Sequence, residues 1–409
     1  MKNIKHLVLA SISLLTSAAA QAQLPCDTVT GKICRSIVVD TAYNPYVTGV
    51  LGNWRANRSY TWYGERAETN PQSSTDIRRN GTFADFSAFW QFSNQQLVSQ
   101  PDTNKWKWNS EITLMNRKGF EIENKDPLGR YNAGLYGYNL TMPTAVVQNS
   151  RYRESMYEGF EDYDFVTQIC DTGCFADRHF DYSPYKSKID QTQKHTGKSS
   201  IRLNKDEQIG VSCNLIMLAE DEVQPDLRFN LVNNNCVTGG KALSAIKSTQ
   251  NILLPVFSPV RGDTMVISGW VKEDRDCACS TYDGARIRVA FSSGSVSAFN
   301  LRASGNIIEG WQRFETLFVV PNGSRLMTVE FRADSATTWF DDLRIHPYHA
   351  NMKSFVYHPV NLRLMAELDE NNYATLYEYD DDGTLVRLKK ETERGIKTIR
   401  ETRSALLKE

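Results

Sequence analysis

The sequence predicts an all-β chain in which a β-sandwich is inserted between β-hairpin repeat segments, and three observations lead there. The first is a pattern that occurs twice. Asn116-Arg-Lys-Gly119 and Asp126-Pro-Leu-Gly129-Arg130 precede Tyr136-Gly-Tyr138-Asn139; far along the chain, Asp369-Glu-Asn-Asn-Tyr373 precedes Tyr377-Glu-Tyr379-Asp380-Asp-Asp-Gly383-Thr-Leu385-Val-Arg387. Self-similarity at such a distance marks one repeat array with another domain set into it. The second is alternation. Ile287, Val289 and Phe291 fall on one side of an extended segment and Arg286, Arg288 and Ala290 on the other, and Met327, Val329 and Phe331 alternate in the same way with Thr328, Glu330 and Arg332. This period of two belongs to half-buried antiparallel strands. The third is a set of short strands, such as 265–271 and 314–320, separated by turn signals like Pro321-Asn-Gly323, which fits two packed sheets.

A leader precedes these elements. Lys2 and Lys5, an apolar run over 7–15 and small residues at 18–20 end in Ala20-Gln21-Ala22, so residues 1–22 read as a secretory signal peptide cleaved after Ala22. A chain exported this way is secreted or sits at the cell surface. No later run approaches the roughly 18 apolar residues that span a bilayer, so no transmembrane segment is expected in the mature chain. A net charge of −1 over 409 residues offers a polyanion little, and nucleic acid is not an expected partner.

Eight cysteines in an exported chain suit disulfides. Cys26/Cys34, Cys170/Cys174 and Cys213/Cys236 are close enough to close local loops, with connectivity left open by the sequence. Cys277-Ala-Cys279 lacks a second Cys or His pair at zinc spacing and reads as structural or oxidised thiols.

The mature chain divides into a β-rich N-terminal region at 23–149 that ends in a repeat unit, the insert at 150–349, and a second repeat with a charged tail at 350–409. In the first region Trp54, Tyr60, Trp62, Tyr63, Phe86, Phe89 and Trp90 form either a sugar-stacking face or core and cross-strand pairs. Gly383 after Asp380-Asp-Asp supplies a positive-φ turn, and Tyr377 and Tyr379 share a strand face. This pattern resembles the tyrosine-aspartate repeats of Rhs and teneurin-type proteins, in which many hairpins spiral into a shell. The resemblance covers only two or three units, too few to close a shell by stacking on neighbours. It therefore implies degenerate units, a shortened relative, or docking onto a larger repeat protein.

Within the insert, Glu158-Gly-Phe160-Glu161, His195-Thr-Gly197-Lys198-Ser-Ser-Ile201-Arg-Leu203, Ser268-Gly-Trp270-Val-Lys272, Gly310-Trp311-Gln-Arg-Phe314 and Trp339-Phe-Asp341-Asp342-Leu-Arg-Ile345 follow in order. Together they resemble the jelly-roll carbohydrate-binding modules with a galactose-binding-like fold. That resemblance implies a structural calcium held by Glu161, the turn at Gly197 and Lys198, and Asp341. Calcium takes carboxylate and carbonyl oxygens, which these positions offer. Counting back from Leu343 and Ile345 puts Asp341 on the inward face and Asp342 on the other, where a buried carboxylate needs a cation or amide donors. Trp270 and Trp311 look like the family's core tryptophans. Tyr282, Arg286 and Trp339 are the expected glycan contacts, since a pyranose needs an aromatic face and polar side chains.

Other motifs carry less. Arg261-Gly-Asp263 fits a β-turn after Pro259, and the prolines beside His346, His349 and His358 break any helix that would align them on a metal. There is no G-x-S-x-G, H-E-x-x-H, P-loop or G-x-G-x-x-G in context, and no carboxylate pair marked for glycoside hydrolysis. The expected function is that of an exported, non-catalytic surface protein that binds a glycan through the jelly roll on a repeat scaffold. The alternatives are an accessory or remnant of a repeat shell without sugar binding, and a polysaccharide-active enzyme.

Overall fold

Segments rich in β-branched and aromatic residues extend, and short polar turns fold them back on one another. The computed structural model describes residues 56–67, 82–83, 86–93, 96–99, 104–116, 118–165, 178–215, 227–233, 241–248, 256–275, 280–292 and 298–402. The leader, Trp54 and Cys26, Cys34, Cys170, Cys174, Cys236, Cys277 and Cys279 lie outside the described residues. The chain separates into two units. In the one containing Asp226–Gln250, the described part is an antiparallel hairpin of Leu227–Asn233 and Lys241–Ser248. All other described residues belong to the second unit.

In that unit, β1 (Arg58–Trp62), β2 (Trp106–Met115), β3 (Glu121–Lys125), β4 (Tyr131–Gly137) and β5 (Met142–Gln148) precede the insert. The main strands of the insert are β6 (Met156–Glu158), β7 (Ser200–Leu203), β8 (Glu207–Asn214), β9 (Thr264–Glu273), β10 (Ala285–Phe291), β11 (Ala298–Leu301), β12 (Trp311–Val319), β13 (Leu326–Ala333) and β14 (Thr338–Pro347). After it come β15 (Asn351–Tyr357), β16 (Leu364–Leu368), β17 (Ala374–Tyr379), β18 (Leu385–Thr392) and β19 (Gly395–Glu401).

The strands on either side of the insert form one ten-stranded antiparallel sheet, ordered β1-β2-β3-β4-β5-β15-β16-β17-β18-β19. At the junction Gln148 pairs with Asn351 and Ala145 with Ser354, so the array interrupted in sequence is continuous in space. The insert is a sandwich. Its larger sheet runs β7-β14-β9-β12, with β6 also paired to β14, and its smaller sheet runs β8-β13-β10-β11. Between them Ile201, Ile267, Val289, Phe331, Phe340, Leu343 and Ile345 form the core. The alternation read from β10 and β13 holds: Ile287, Val289, Phe291, Met327, Val329 and Phe331 are buried.

One turn recurs in the ten-stranded sheet. At Asn116, Asp126, Asp369 and Asp380 the first residue's N–H donates to the carbonyl four residues on, and its own carbonyl accepts from the N–H three residues on. The side-chain Oδ1 then accepts N–H groups inside the loop, from Lys118 and Phe120, Leu128 and Arg130, Asn371 and Tyr373, and Thr384. The fourth residue takes positive φ, as Gly119 (85°), Gly129 (79°), Asn372 (67°) and Gly383 (84°). Glycine and asparagine are the residues that occupy this region at least cost. The tyrosines of the pattern reach across strands: Tyr379 Oη donates to Leu364 O at 2.9 Å and Tyr138 Oη to Tyr357 O at 2.6 Å.

Two expectations change. Alternation fails in β14, where every residue from Thr338 to His346 is buried. One face meets the sandwich core and the other meets the Trp270, Ile308, Trp311 and Trp339 cluster, against which Tyr373 and Ile396 of the repeat sheet pack. Trp270 and Trp311 are therefore buried outside the sandwich interior, between the insert and the repeat hairpins. Cys213 lies in the sandwich core as a free thiol whose pKa burial pushes up to about 12. Cys213 stands opposite Met327 in the register, and Cys236, its expected partner, lies outside the described residues.

Replacing Gly383 with alanine forces an L-residue to a φ of 84° beside the Arg363 guanidinium, at a cost of about 1–2 kcal/mol. Gly323, with nothing within 4 Å of its Cβ position, is the control. Denaturant unfolding of the two alanine variants is expected to show a lower midpoint for Gly383→Ala and an almost unchanged one for Gly323→Ala.

Candidate functional site

Residue parity misplaces Asp341. Register shifts between Ser268 and Trp270 of β9 against β14, and Asp342 adopts a φ of 49°, so β14 carries a bulge. Phe340, Leu343 and Ile345 all face the core, while Trp339 and the two aspartates share the opposite side. The bulge adds the extra residue that parity counting omits. As a result Asp341 and Asp342 both meet the turn at 195–199.

Asp342 is fully enclosed. Its Oδ2 lies 2.7 Å from His195 Nδ1, its Oδ1 accepts from Tyr157 Oη at 2.7 Å, and Thr196 Oγ1 donates to it as well. The other ring nitrogen of His195 lies 3.0 Å from Glu391 Oε1, and Glu391 Oε2 accepts from Ala374 N. Burial opposes a charge on His195, but the carboxylates of Glu391 and Asp342 outweigh it and push its pKa up to about 10. The imidazolium stacks on Trp270, with ring centroids 4.1 Å apart. Trp270 Nε1 donates to Asn372 O at 2.8 Å, and Asn372 Nδ2 returns a bond to Asp342 O. Arg344, fully buried, donates to Asp369 O at 2.6 Å. The insert is thus fastened to the hairpins that carry Asp369, Asn372 and Glu391.

The four residues expected at a calcium site do converge. Glu161 Oε1 accepts the N–H groups of Lys198 and Ser199 at 2.6 and 2.8 Å, and Asp341 Oδ2 accepts that of His195 at 2.8 Å. Gly197, at a φ of 62°, leaves the room that Glu161 fills, since a Cβ there would collide with the carboxylate. Burial raises the pKa of Glu161 to about 8 against the pull of those two amides, and burial with the Asp342 charge raises that of Asp341 well above the carboxylate range. Among the described residues no group of three or more acidic, His or Cys side chains makes a metal cage by itself. Any cation here would need backbone oxygens as well.

The three expected glycan contacts are not brought together. Tyr282 is buried in the sandwich core, and its hydroxyl donates to Gly310 O at 2.7 Å. Trp339 is buried on the larger sheet, with Nε1 donating to Asp190 Oδ2 at 2.7 Å. Neither ring is open to a sugar, because both are covered by neighbouring elements. Arg286 alone is accessible. It lies on the outer face of the smaller sheet, paired with Asp334 at 2.6 Å. Beside it in register stand Arg332 and Gln208, then Arg288, Glu330 and Gly210, with Arg288 and Glu330 joined at 2.8 Å. Ser212 and Thr328 share a hydroxyl bond in the next row, and Tyr185 Oη donates to Gly210 O at one edge. In the N-terminal strands Tyr60, Trp62, Phe86, Phe89, Trp90 and Trp106 contact one another as rings.

No protein-family model matches the chain, and no curated protein does. Among solved structures it is similar to a family 16 carbohydrate-binding module, at 13% identity over 38% of this chain and 82% of the other, TM-score 0.21. The CBM22-1 xylan-binding domain of Xyn10C from Paenibacillus barcinonensis is similar at 15% identity, over 39% and 78%, TM-score 0.22. TmCBM61, solved with β-1,4-galactotriose, gives 11% identity, 40% and 83%, and 0.20. At such scores the likeness carries no argument, and the sandwich assignment rests on the strand order itself.

His195 makes the joint pH-sensitive. Its folded pKa of about 10 lies above the ordinary 6.5, so its stabilisation is complete below pH 6.5 and is lost as pH rises through about 10. Thermal melts from pH 6 to 10 should show a His195→Gln variant with a lower Tm than wild type at pH 6 and a gap that narrows toward pH 10. A constant gap would remove the charge from the account.

Proposed function

We propose that this chain is an exported, non-catalytic glycan-binding protein whose insert takes up saccharide on the outer face of its smaller sheet while the repeat sheet presents it at a cell surface. The observation that carries this reading is that face. Arg286, Arg288, Glu330, Arg332 and Gln208 stand in adjacent ladder rows, the four charged side chains held by ion pairs, and so offer fixed donors and acceptors to sugar hydroxyls. Pre-organisation of this kind lowers the ordering cost of binding. The ordered phrases that resemble jelly-roll carbohydrate-binding modules support the same reading, as does the secretory leader.

A structural calcium fits the carboxylates beneath the turn at 195–199. Glu161 Oε2 is buried without a hydrogen-bond partner, and burial raises the pKa of both carboxyls, with the charges of Asp342 and Asp162 adding to it at Glu161 and those of Asp342 and Glu161 at Asp341. Glu161 and Asp341, with the Gly197 and Lys198 carbonyls, would hold the ion. When bound it supplies positive charge where two carboxylates are otherwise pushed toward protonation. A second reading is favoured by β19, an edge strand of the sheet with Ile399 exposed: the chain adds to a larger repeat protein, and co-purification with one would show it.

Two measurements test the main reading. Glycan-array binding by the full chain is expected, reduced about tenfold in Arg288→Ala through loss of a charged donor, and absence of binding to any glycan with and without calcium would sink it. Calcium at saturating concentration should raise Tm by several degrees through linkage, with EDTA reversing the shift and Glu161→Gln abolishing it.

A further inference from the structure

The larger sheet of the insert and the last hairpins line an open-sided cleft of ≈ 470 Å3. Its size is that of a small-molecule site. Trp311 from the insert and Leu376 and Ile396 from the hairpins give it apolar lining, and Lys194, Lys272 and Lys389 give it ammonium groups. The acids around it are mostly engaged: Glu391 by His195 and the Ala374 N–H, and the Glu378 that neutralises Lys389 lies outside the lining. Exposed Glu309 remains. Lys272 donates to the neutral Gln193 Oε1 at 2.8 Å, and neither it nor Lys194 has a carboxylate partner among the described residues. The cleft thus joins apolar side chains to two ammonium groups that have no ion-pair partner among the described residues.

We propose that this cleft binds a carboxylated saccharide, with the pyranose against the half-buried Leu376 and Ile396 and the uronate carboxylate between Lys194 and Lys272. The inference rests on the saccharide-binding reading for its ligand class, but it uses a different surface from the open sheet face. A uronate meets both halves of the lining, since its ring carries apolar C–H faces and its carboxylate meets ammonium in a partly dry site. A neutral sugar leaves the two charges unmatched.

Calorimetric titration of the full chain with galacturonate, digalacturonate, glucose and inorganic phosphate tests this. Uronate binding is expected to weaken with added salt, to fall about tenfold in Lys194→Glu, which reverses an exposed charge, and to fall in Lys272→Met. Arg288→Ala should leave it unchanged. Neutral-glycan binding weakened about tenfold in Arg288→Ala while uronate binding persists separates the two sites. If the array shows no glycan at the open face, the uronate titration still reads the cleft. Absence of uronate binding, equal affinity for glucose, full competition by phosphate, or indifference to Lys194→Glu overturns the proposal.

Discussion

A charged imidazole buried between two carboxylates ties the insert to its scaffold. His195 comes from a turn of the sandwich, Asp342 from its last strand, and Glu391 from a hairpin of the repeat sheet, 196 residues beyond the histidine. Removing three charged groups from water is expensive, and such a cluster stabilises only where every lone pair and proton finds a partner. Here nearly every one does: Tyr157, Thr196 and Ala374 complete the two carboxylates, and Trp270 covers the ring. A cluster so dependent on geometry tolerates one docking arrangement and penalises slippage. The apolar contacts around it are less selective, and they add area to an orientation that the polar atoms define.

This joint decides where a ligand can go. In an isolated sandwich the tryptophans on the outside of the larger sheet would be free surface; here Trp270, Trp311 and Trp339 are covered by Tyr373, Ile396 and the turn before β7. Surfaces left open among the described residues include the polar ladder rows on the smaller sheet and the cleft beside Leu376 and Ile396. The ten-stranded sheet thereby closes one face of the insert and shapes the edge of a cleft.

What the sequence revealed follows from which interactions are local. The positive-φ turns were legible because an Asx side chain, two spacer residues and a glycine are fixed within one loop, as at Asp380 and Gly383. Alternation was legible in β10 and β13 because each strand has one wet face. It failed in β14, where two covered faces erase the contrast and the bulge at Asp342 shifts the count by one residue. The convergence of Glu161, Gly197, Lys198 and Asp341 followed the family phrases. The pairing of His195 with Glu391 did not, since nothing local marks a glutamate in a strand of mixed charge as buried. The sequence near Tyr282 gave no sign that its ring enters the sandwich core, and nothing near Trp339 marked its ring as covered on the outside of the larger sheet.

The small number of repeat units finds its explanation in the same joint. A hairpin array exposes an apolar face that must be covered by further units or by another body. In this chain Val356, Ala366, Leu368 and Ala374 form a buried row, and Ala133, Leu135, Ala145, Val147 and Met352 form another, with Tyr157 of the insert packed against both. The inserted sandwich covers part of that face. The insert covers apolar residues of the scaffold, and the scaffold in turn covers the tryptophans of the insert. Neither part can be altered at Tyr157, Trp270 or His195 without exposing the other, so folding of the repeat sheet and closure of the sandwich are coupled through a few residues at their shared boundary.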